Sequence, residues 1–274
     1  MSLKNIAQET LQILNSGSYT NSEGATVDFL PQQQAAVNGT VLYTPAQADN
    51  LLGYPDSCAG SSPAIEVTDE TTQVAAKRLA QAEGRSDVVL LNYASARNPG
   101  GGFINGAKAQ EEDLVRCSGL YPCLLTQPAY YEYNRRQKSL LYSDHIIYAP
   151  NVPWFRTHSQ DLLAQIFLAS VITAPAPNAG EVLRRDANAW PEIEATLRHR
   201  AGLVLAIARD KGHRTLLLGA WGCGVFRNQP AMVADAFGTW LTSPEFTGCF
   251  DRVVFAVYDP TKQQETLKAF QARF

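Results

Sequence analysis

The spacing of apolar positions changes several times along this chain, and each change marks an element. Ile6, Leu11 and Leu14 fall on one side of a helix over residues 3–14, with Gly17 placed to stop it. Residues 18–60 are rich in turn formers, including NSEG, NGT and a Pro/Asp/Ser/Gly loop around 53–63. Short strands, ATVDFL and GTVLYT, fit among them, and residues 65–67 read as another. TTQVAAKRLAQAEG has helical spacing, with Thr71 or Thr72 near its cap and Gly84 after its last turn.

DVVLLNYA, residues 87–94, is an unbroken apolar run, the pattern of a strand buried on both faces. HIIYAPNVPWF (145–155) starts as a further strand and ends in proline, while QIFLASVITAP (165–175) and TLLLGA (215–220) repeat the apolar run. Residues 191–210 are helical, Asn228 is placed to cap a helix through Trp240, and DRVVFAVYD followed by TKQQETLKAFQARF reads strand, then helix. This alternation predicts a three-layer α/β domain with an N-terminal extension. Internal repeats, low-complexity tracts and interdomain linkers are absent from the sequence.

Composition narrows the class. The 274 residues are 45% hydrophobic and 18% charged, as expected of a globular protein with a sizeable core. No apolar run reaches the roughly 18 residues of a membrane-spanning helix, and MSLKNIAQETLQIL lacks the apolar centre of a secretory signal. Cys58, Cys117, Cys123, Cys223 and Cys249 are scattered without a CxxC pair, so neither a disulfide framework nor a zinc site is expected. A reduced, cytoplasmic protein is the expectation. The net charge of −3 argues against a broad phosphate-neutralising surface for nucleic acid. It leaves room for a small anion held by backbone N–H groups.

Two glycine-rich stretches follow predicted strands. NPGGGFINGAKAQEEDLVR (98–116) contains Gly100, Gly101 and Gly102, and GAWGCGVFRN (219–228) contains Gly222 and Gly224. Both lie near strand C-termini, where open α/β sheets bind ligands. Neither is a GxxxxGK[ST] loop, and Gly100, Gly102 and Gly106 give GxGxxxG, one residue too long for the dinucleotide fingerprint. Each stretch alone reads as a tight turn. Facing one crevice, the two would grip a diphosphate from both sides.

Glu111 and Glu112 admit two readings. They are acids in the first turn of a helix, complementing its positive end, or they are the acid/base element of a glycoside hydrolase, where a protonated carboxyl donates to the departing oxygen. Cys223 with His213 as base is an alternative chemistry, weakened because Trp221 breaks the GxCxG elbow and no third partner is evident. His145, His158 and His199 show no ligand spacing. Tyr130, Tyr131 and Tyr133 with Arg135 and Arg136 suggest a solvated helix face or a basic aromatic patch. Trp154 and Phe155 are expected in the core or at the crevice rim.

The combination LNYASARNPGGGFINGAKAQEE, a glycine triplet, a spacer and then Gln110-Glu111-Glu112, is similar to the signature of bacterial-type poly(ADP-ribose) glycohydrolases of the macrodomain superfamily. GAWGCGVFRN resembles that family's diphosphate loop. The resemblance implies a three-layer α/β/α macrodomain-like core over residues 61–274, with residues 1–60 as an accessory extension packed on it. It implies Glu112 as the catalytic acid and Glu111 as the residue holding the ribose hydroxyls. Gly100, Gly101, Gly102, Gln110 and the second loop (Gly222, Cys223, Gly224, Val225, Phe226) would cradle the ligand, with Phe226 against the distal ribose or adenine. Asn98 or Asn92 would meet the ribose, and adenine contacts would fall near residues 65–68. The partners implied are poly(ADP-ribose), ADP-ribose and ADP-ribosylated proteins as substrate carriers, without metal, cofactor, membrane or sequence-specific nucleic acid. The setting implied is reversal of ADP-ribosylation in the DNA damage response. A non-catalytic ADP-ribose reader is the rival, and it needs the glycine loops but no protonating acid.

Overall fold

In a computed structural model, residues 1–53, 58, 60–158 and 161–274 are described. Residues 54–57 and 59 of the turn-rich loop read at 53–63 lie outside them. Nine strands form among the described residues: β1 Ser18–Thr20, β2 Thr26–Asp28, β3 Val41–Tyr43, β4 Ala64–Thr68, β5 Val88–Tyr93, β6 Ile146–Arg156, β7 Leu162–Ala174, β8 Thr215–Gly219 and β9 Arg252–Ala256. The helices are α1 Leu3–Ser16, α2 Leu30–Gly39, α3 Pro45–Gly53, α4 Thr72–Lys77, α5 Gln110–Cys117, α6 Leu120–Leu125, α7 Pro128–Arg136, α8 Ala179–Arg185, α9 Trp190–Asp210, α10 Pro230–Leu241 and α11 Glu265–Arg273.

A seven-stranded sheet in the order β3-β6-β7-β5-β8-β9-β4 is the middle layer. β7, β5, β8, β9 and β4 run parallel, whereas at one side β6 pairs antiparallel with β7 and β3 antiparallel with β6. Alternate residues of the apolar runs enter different cores. Val89 and Leu91 of β5, with Leu216 and Leu218 of β8, join the core that includes α9 and α10. Val88, Leu90 and Leu217 join the one that includes α5 and α6. Burial on both faces explains why these strands read as continuous hydrophobic stretches.

Ile13, Tyr19 and Phe29 of the extension form a small core with Phe155 of β6. Gly17 ends α1 in the left-handed region at φ 69°, as its placement predicts. The extension also contains α2 and α3, which its turn-rich composition concealed, and α8 is a further helix not expected. β6 passes through Pro150 and Pro153 rather than ending at them; a register shift between Ala149 and Val152 absorbs the disruption of its ladder with β7. Tyr130 and Tyr131 are buried among α6 and the sheet, which corrects the expectation of a wholly solvated face on α7.

Cys58 and Cys249 form a disulfide across 191 residues, with Cα atoms 4.9 Å apart. This corrects the expectation that the scattered cysteines pair with nothing. The physical reason is topological: Cys58 precedes β4 and Cys249 precedes β9, and these strands lie side by side in parallel.

Candidate active site

Five parallel strands direct their C-terminal ends to one edge of the sheet, and the segments leaving them line a cavity of about 760 Å3. That lies within the roughly 300–1,000 Å3 of small-molecule sites. Residues 70–73 after β4, 94–98 after β5, Ala176 after β7, 222–226 after β8 and 257–259 after β9 all contribute. Residues 65–68, expected near adenine, are β4 itself, and the cavity wall begins at Glu70.

The glycine triplet fits its position for a steric reason. Gly100 and Gly101 have φ values of 68° and 58°, where an L side chain is strained. A Cβ on Gly101 would also run into the Glu112 carboxylate, so the loop closes directly on the acid it precedes. The Gly101 N–H donates to Asn98 O at 3.0 Å and fixes the turn.

α5 then presents Gln110, Glu111 and Glu112 in its first turn. Gln110 Oε1 accepts from Tyr93 N at 2.8 Å, and its Nε2 donates to Leu91 O at 2.9 Å and Thr72 Oγ1 at 3.2 Å. Gln110 thereby ties α5 to the end of β5 and the start of α4.

The glutamates occupy different environments because neighbouring helical residues are about 100° apart. Glu111 is only 2% exposed. Its Oε1 accepts from Asn92 Nδ2 at 3.1 Å and its Oε2 from Ser95 N at 2.6 Å. Burial, the largest influence, pushes its pKa up to about 8; the Ser95 and Asn92 donors pull it down, and the charge of Glu112 pushes it further up. Glu112 is less enclosed and accepts from Gly102 N at 3.0 Å through Oε1. Both glutamates line the cavity.

Across the cavity, the second loop is closed by Asn228. Its Nδ2 donates to Pro177 O at 2.9 Å and Gly222 O at 3.2 Å, and its backbone N–H donates to Gly222 O at 3.0 Å. This corrects the helix-cap expectation: α10 is preceded by Gln229, and Asn228 staples the loop instead. Gly222 takes φ 73°, and a Cβ there would meet the Asn228 amide and the Ala176 methyl. Gly222→Ala should therefore weaken binding of a diphosphate ligand in the cavity and cost about 1–3 kcal/mol of stability, measurable by calorimetric titration and urea unfolding. Retention of both properties would show that the loop tolerates the side chain.

Gly222, Cys223, Gly224, Val225 and Phe226 all reach the cavity, Val225 being 78% exposed, and Phe226 packs against Tyr142 with centroids 5.9 Å apart. The Cys223 thiol is pushed up to about 12 by burial, so it is protonated near neutrality. His213 lies before β8 and Cys223 after it. His213 Nδ1 is 2.7 Å from Asp87 O, which accepts only, so Nδ1 carries the proton and Nε2 accepts from Tyr148 OH at 2.8 Å. The thiol–imidazole pair is not assembled.

Of the two asparagines, Asn98 lines the cavity whereas Asn92 lies beneath it, bonded to Glu111 and to Thr173 Oγ1 at 3.2 Å. Residues unsignalled in the sequence also take part: Ser95 through its N–H, Thr72 through Gln110, and Tyr142 on the wall. Proximity to a strand C-terminus was the available signal for Ser95; Tyr142 carried none. No His/Cys/Asp/Glu group able to hold a metal ion occurs among the described residues.

A mainly parallel three-layer α/β/α fold, with two glycine-rich loops opposed across the strand C-termini, defines a macrodomain-like protein. The model of the microbial-type PARG catalytic domain matches residues 7–157, and the chain belongs to this family of poly(ADP-ribose) glycohydrolases. The chain is similar to the crystal structure of poly(ADP-ribose) glycohydrolase from Thermomonospora curvata, with 46% identity, 99% of each chain covered and a TM-score of 0.95. The inhibitor ADP-HPD complex of the same bacterial enzyme matches with 46% identity, 99% coverage of each chain and a TM-score of 0.92. The Deinococcus radiodurans enzyme in complex with ADP-ribose matches with 45% identity and a TM-score of 0.83, over 89% of this chain and 97% of that one. No curated protein matches the chain.

Proposed function

We propose that this enzyme cleaves the ribose–ribose O-glycosidic bond of poly(ADP-ribose) with Glu112 as general acid and base, and with Glu111 orienting the ribose. The observation that carries the assignment is the division of the adjacent glutamates, one buried among donors and one against the Gly101–Gly102 backbone in the cavity. In the free protein the pair retains a proton below about pH 8, on Glu111. A bound diphosphate and the exclusion of water disfavour a second negative charge in the cavity. Glu112 then donates its proton to the departing 2′-oxygen as the C–O bond breaks. The oxocarbenium-like carbon is stabilised by the diphosphate, and the Glu112 carboxylate takes a proton from the attacking water, which restores the acid.

The two glycine loops supply the backbone N–H groups of the diphosphate cradle, with Phe226 packing against the ligand and Asn98 contacting the ribose being cleaved. Residues 61–274 form the catalytic domain, and residues 1–60 brace it. A contact supports this role: a Cβ on Gly106, beyond the triplet, would touch Lys4 of α1. Proteins bearing ADP-ribose chains are the substrate carriers. The described residues contain no helix long and apolar enough to cross a membrane. Incubating the protein with purified poly(ADP-ribose) and separating products by anion exchange should yield free ADP-ribose; persistence of intact polymer alongside ADP-ribose binding would make the chain a reader instead.

A further inference from the structure

The chain carries a net charge of −3, yet a group of exposed cations stands beside the cavity. Arg97, Arg135, Lys138 and Arg185 are exposed and form no ion pair among the described residues, while their neighbours Arg136 and Arg184 are occupied by Glu132 and Glu181. Two hydrogen bonds link the four positions. Arg135 Nη1 donates to Arg97 O at 2.6 Å, and Arg185 Nη1 donates to Lys138 O at 3.3 Å. Together they run from Arg97 on the cavity wall, past the end of α7, to the end of α8.

Tyr142 stands where this row meets the site. It is a wall shared by the cavity and a second depression of about 350 Å3, whose lining includes Gln137 and Ser139 on either side of Lys138. Its φ of 61° is one that a non-glycine residue adopts at a cost. The ring, packed on Phe226, is thereby held between the two spaces.

Direction comes from Glu112. Under the glycohydrolase reading, on which this inference rests, the leaving oxygen departs at Glu112. Gly101 abuts that carboxylate and bonds to Asn98 O, and Arg97 is the next residue back. Chain still attached to the leaving oxygen therefore emerges beside Arg97.

We infer that Arg97, Arg135, Lys138 and Arg185 form an electropositive track for the polymer on the leaving side of the cleaved bond, with Tyr142 as a stacking face at the second depression. Each repeating unit carries two phosphates and one base, and cations combined with an aromatic face are how proteins hold such strands.

The test replaces two cations that do not line the cavity, as Lys138→Glu with Arg185→Glu, and compares two substrates. One is long-chain poly(ADP-ribose); the other is ADP-ribose bearing a small aryl leaving group, which fills the cavity alone. KM for the polymer should rise roughly tenfold, and the slope of log KM against log salt should fall by about 1 per cation removed. kcat/KM for the aryl substrate should stay within about twofold, and the conservative pair Lys138→Arg with Arg185→Lys should behave as the unmodified protein. An unchanged polymer KM, or an equal loss on both substrates, would overturn the track. So would competition by single-stranded DNA as strong as that by polymer of equal phosphate number, which would assign the surface to nucleic acid. Failure of the unmodified protein to cleave either substrate is a separate result that sinks the glycohydrolase reading.

Discussion

Glu112→Gln should bind ADP-ribose with nearly unchanged affinity and turn over poly(ADP-ribose) about 10³-fold more slowly, within the 10²–10⁴ typical of a lost general acid. Glutamine has the same length, and its carbonyl oxygen can still accept from Gly102 N, the bond that Glu112 Oε1 makes at 3.0 Å. The loop against it, held by the left-handed Gly100 and Gly101, therefore keeps its shape. What the amide lacks is a proton to give to the departing oxygen and a carboxylate to take one from water. Binding by calorimetric titration and turnover by product separation should part company. Near-normal turnover would remove Glu112 from the acid role, and loss of both would mean that the substitution had damaged the cradle.

The site was legible where residues are costly unless used. Three successive glycines lose conformational freedom on folding, and their use is the close approach of Gly101 to Glu112. The sheet was legible because β5 and β8 are apolar on both faces. Asn92 was harder to place, since one polar residue inside LLNY does not reveal whether its partner is solvent, ligand or the inward face of Glu111. Asn228 looked like a helix cap because its type suits one; only the fold brings Pro177 O and Gly222 O to its amide. Cys58 and Cys249 meet through strand order, which no local pattern encodes. In α7, Tyr130 and Tyr131 are buried while Tyr133 is exposed. Composition treats the three as equivalent, and helical phase on a packed surface separates them.

Glu111→Gln should stabilise the protein at alkaline pH while impairing its reaction. The folded-state pKa of Glu111 is raised from 4.5 to about 8, with burial as the main cause. Between those values the native state keeps a proton that the unfolded chain has released. The stability tied to that proton is fully present below about pH 4.5 and is lost as pH rises through about 8. A glutamine has no such titration. The stability of the variant relative to the unmodified protein should thus grow by a few kcal/mol between about pH 5 and about pH 8.5, since each tenfold fall in proton activity across that window contributes about 1.4 kcal/mol. The hydrogen bonds can be kept: the glutamine oxygen accepts from Ser95 N, and Asn92, whose Oδ1 has no partner among the described residues, can turn that oxygen towards the new amide. Urea unfolding at the two pH values measures the difference, and equal offsets at both would mean that Glu111 is not held protonated. The reaction should respond separately. If Glu111 orients the ribose without donating the proton, its amide variant loses less kcat than Glu112→Gln and raises KM for polymer; a kcat loss equal to that of Glu112→Gln, at unchanged KM, would make the two glutamates one acid/base unit.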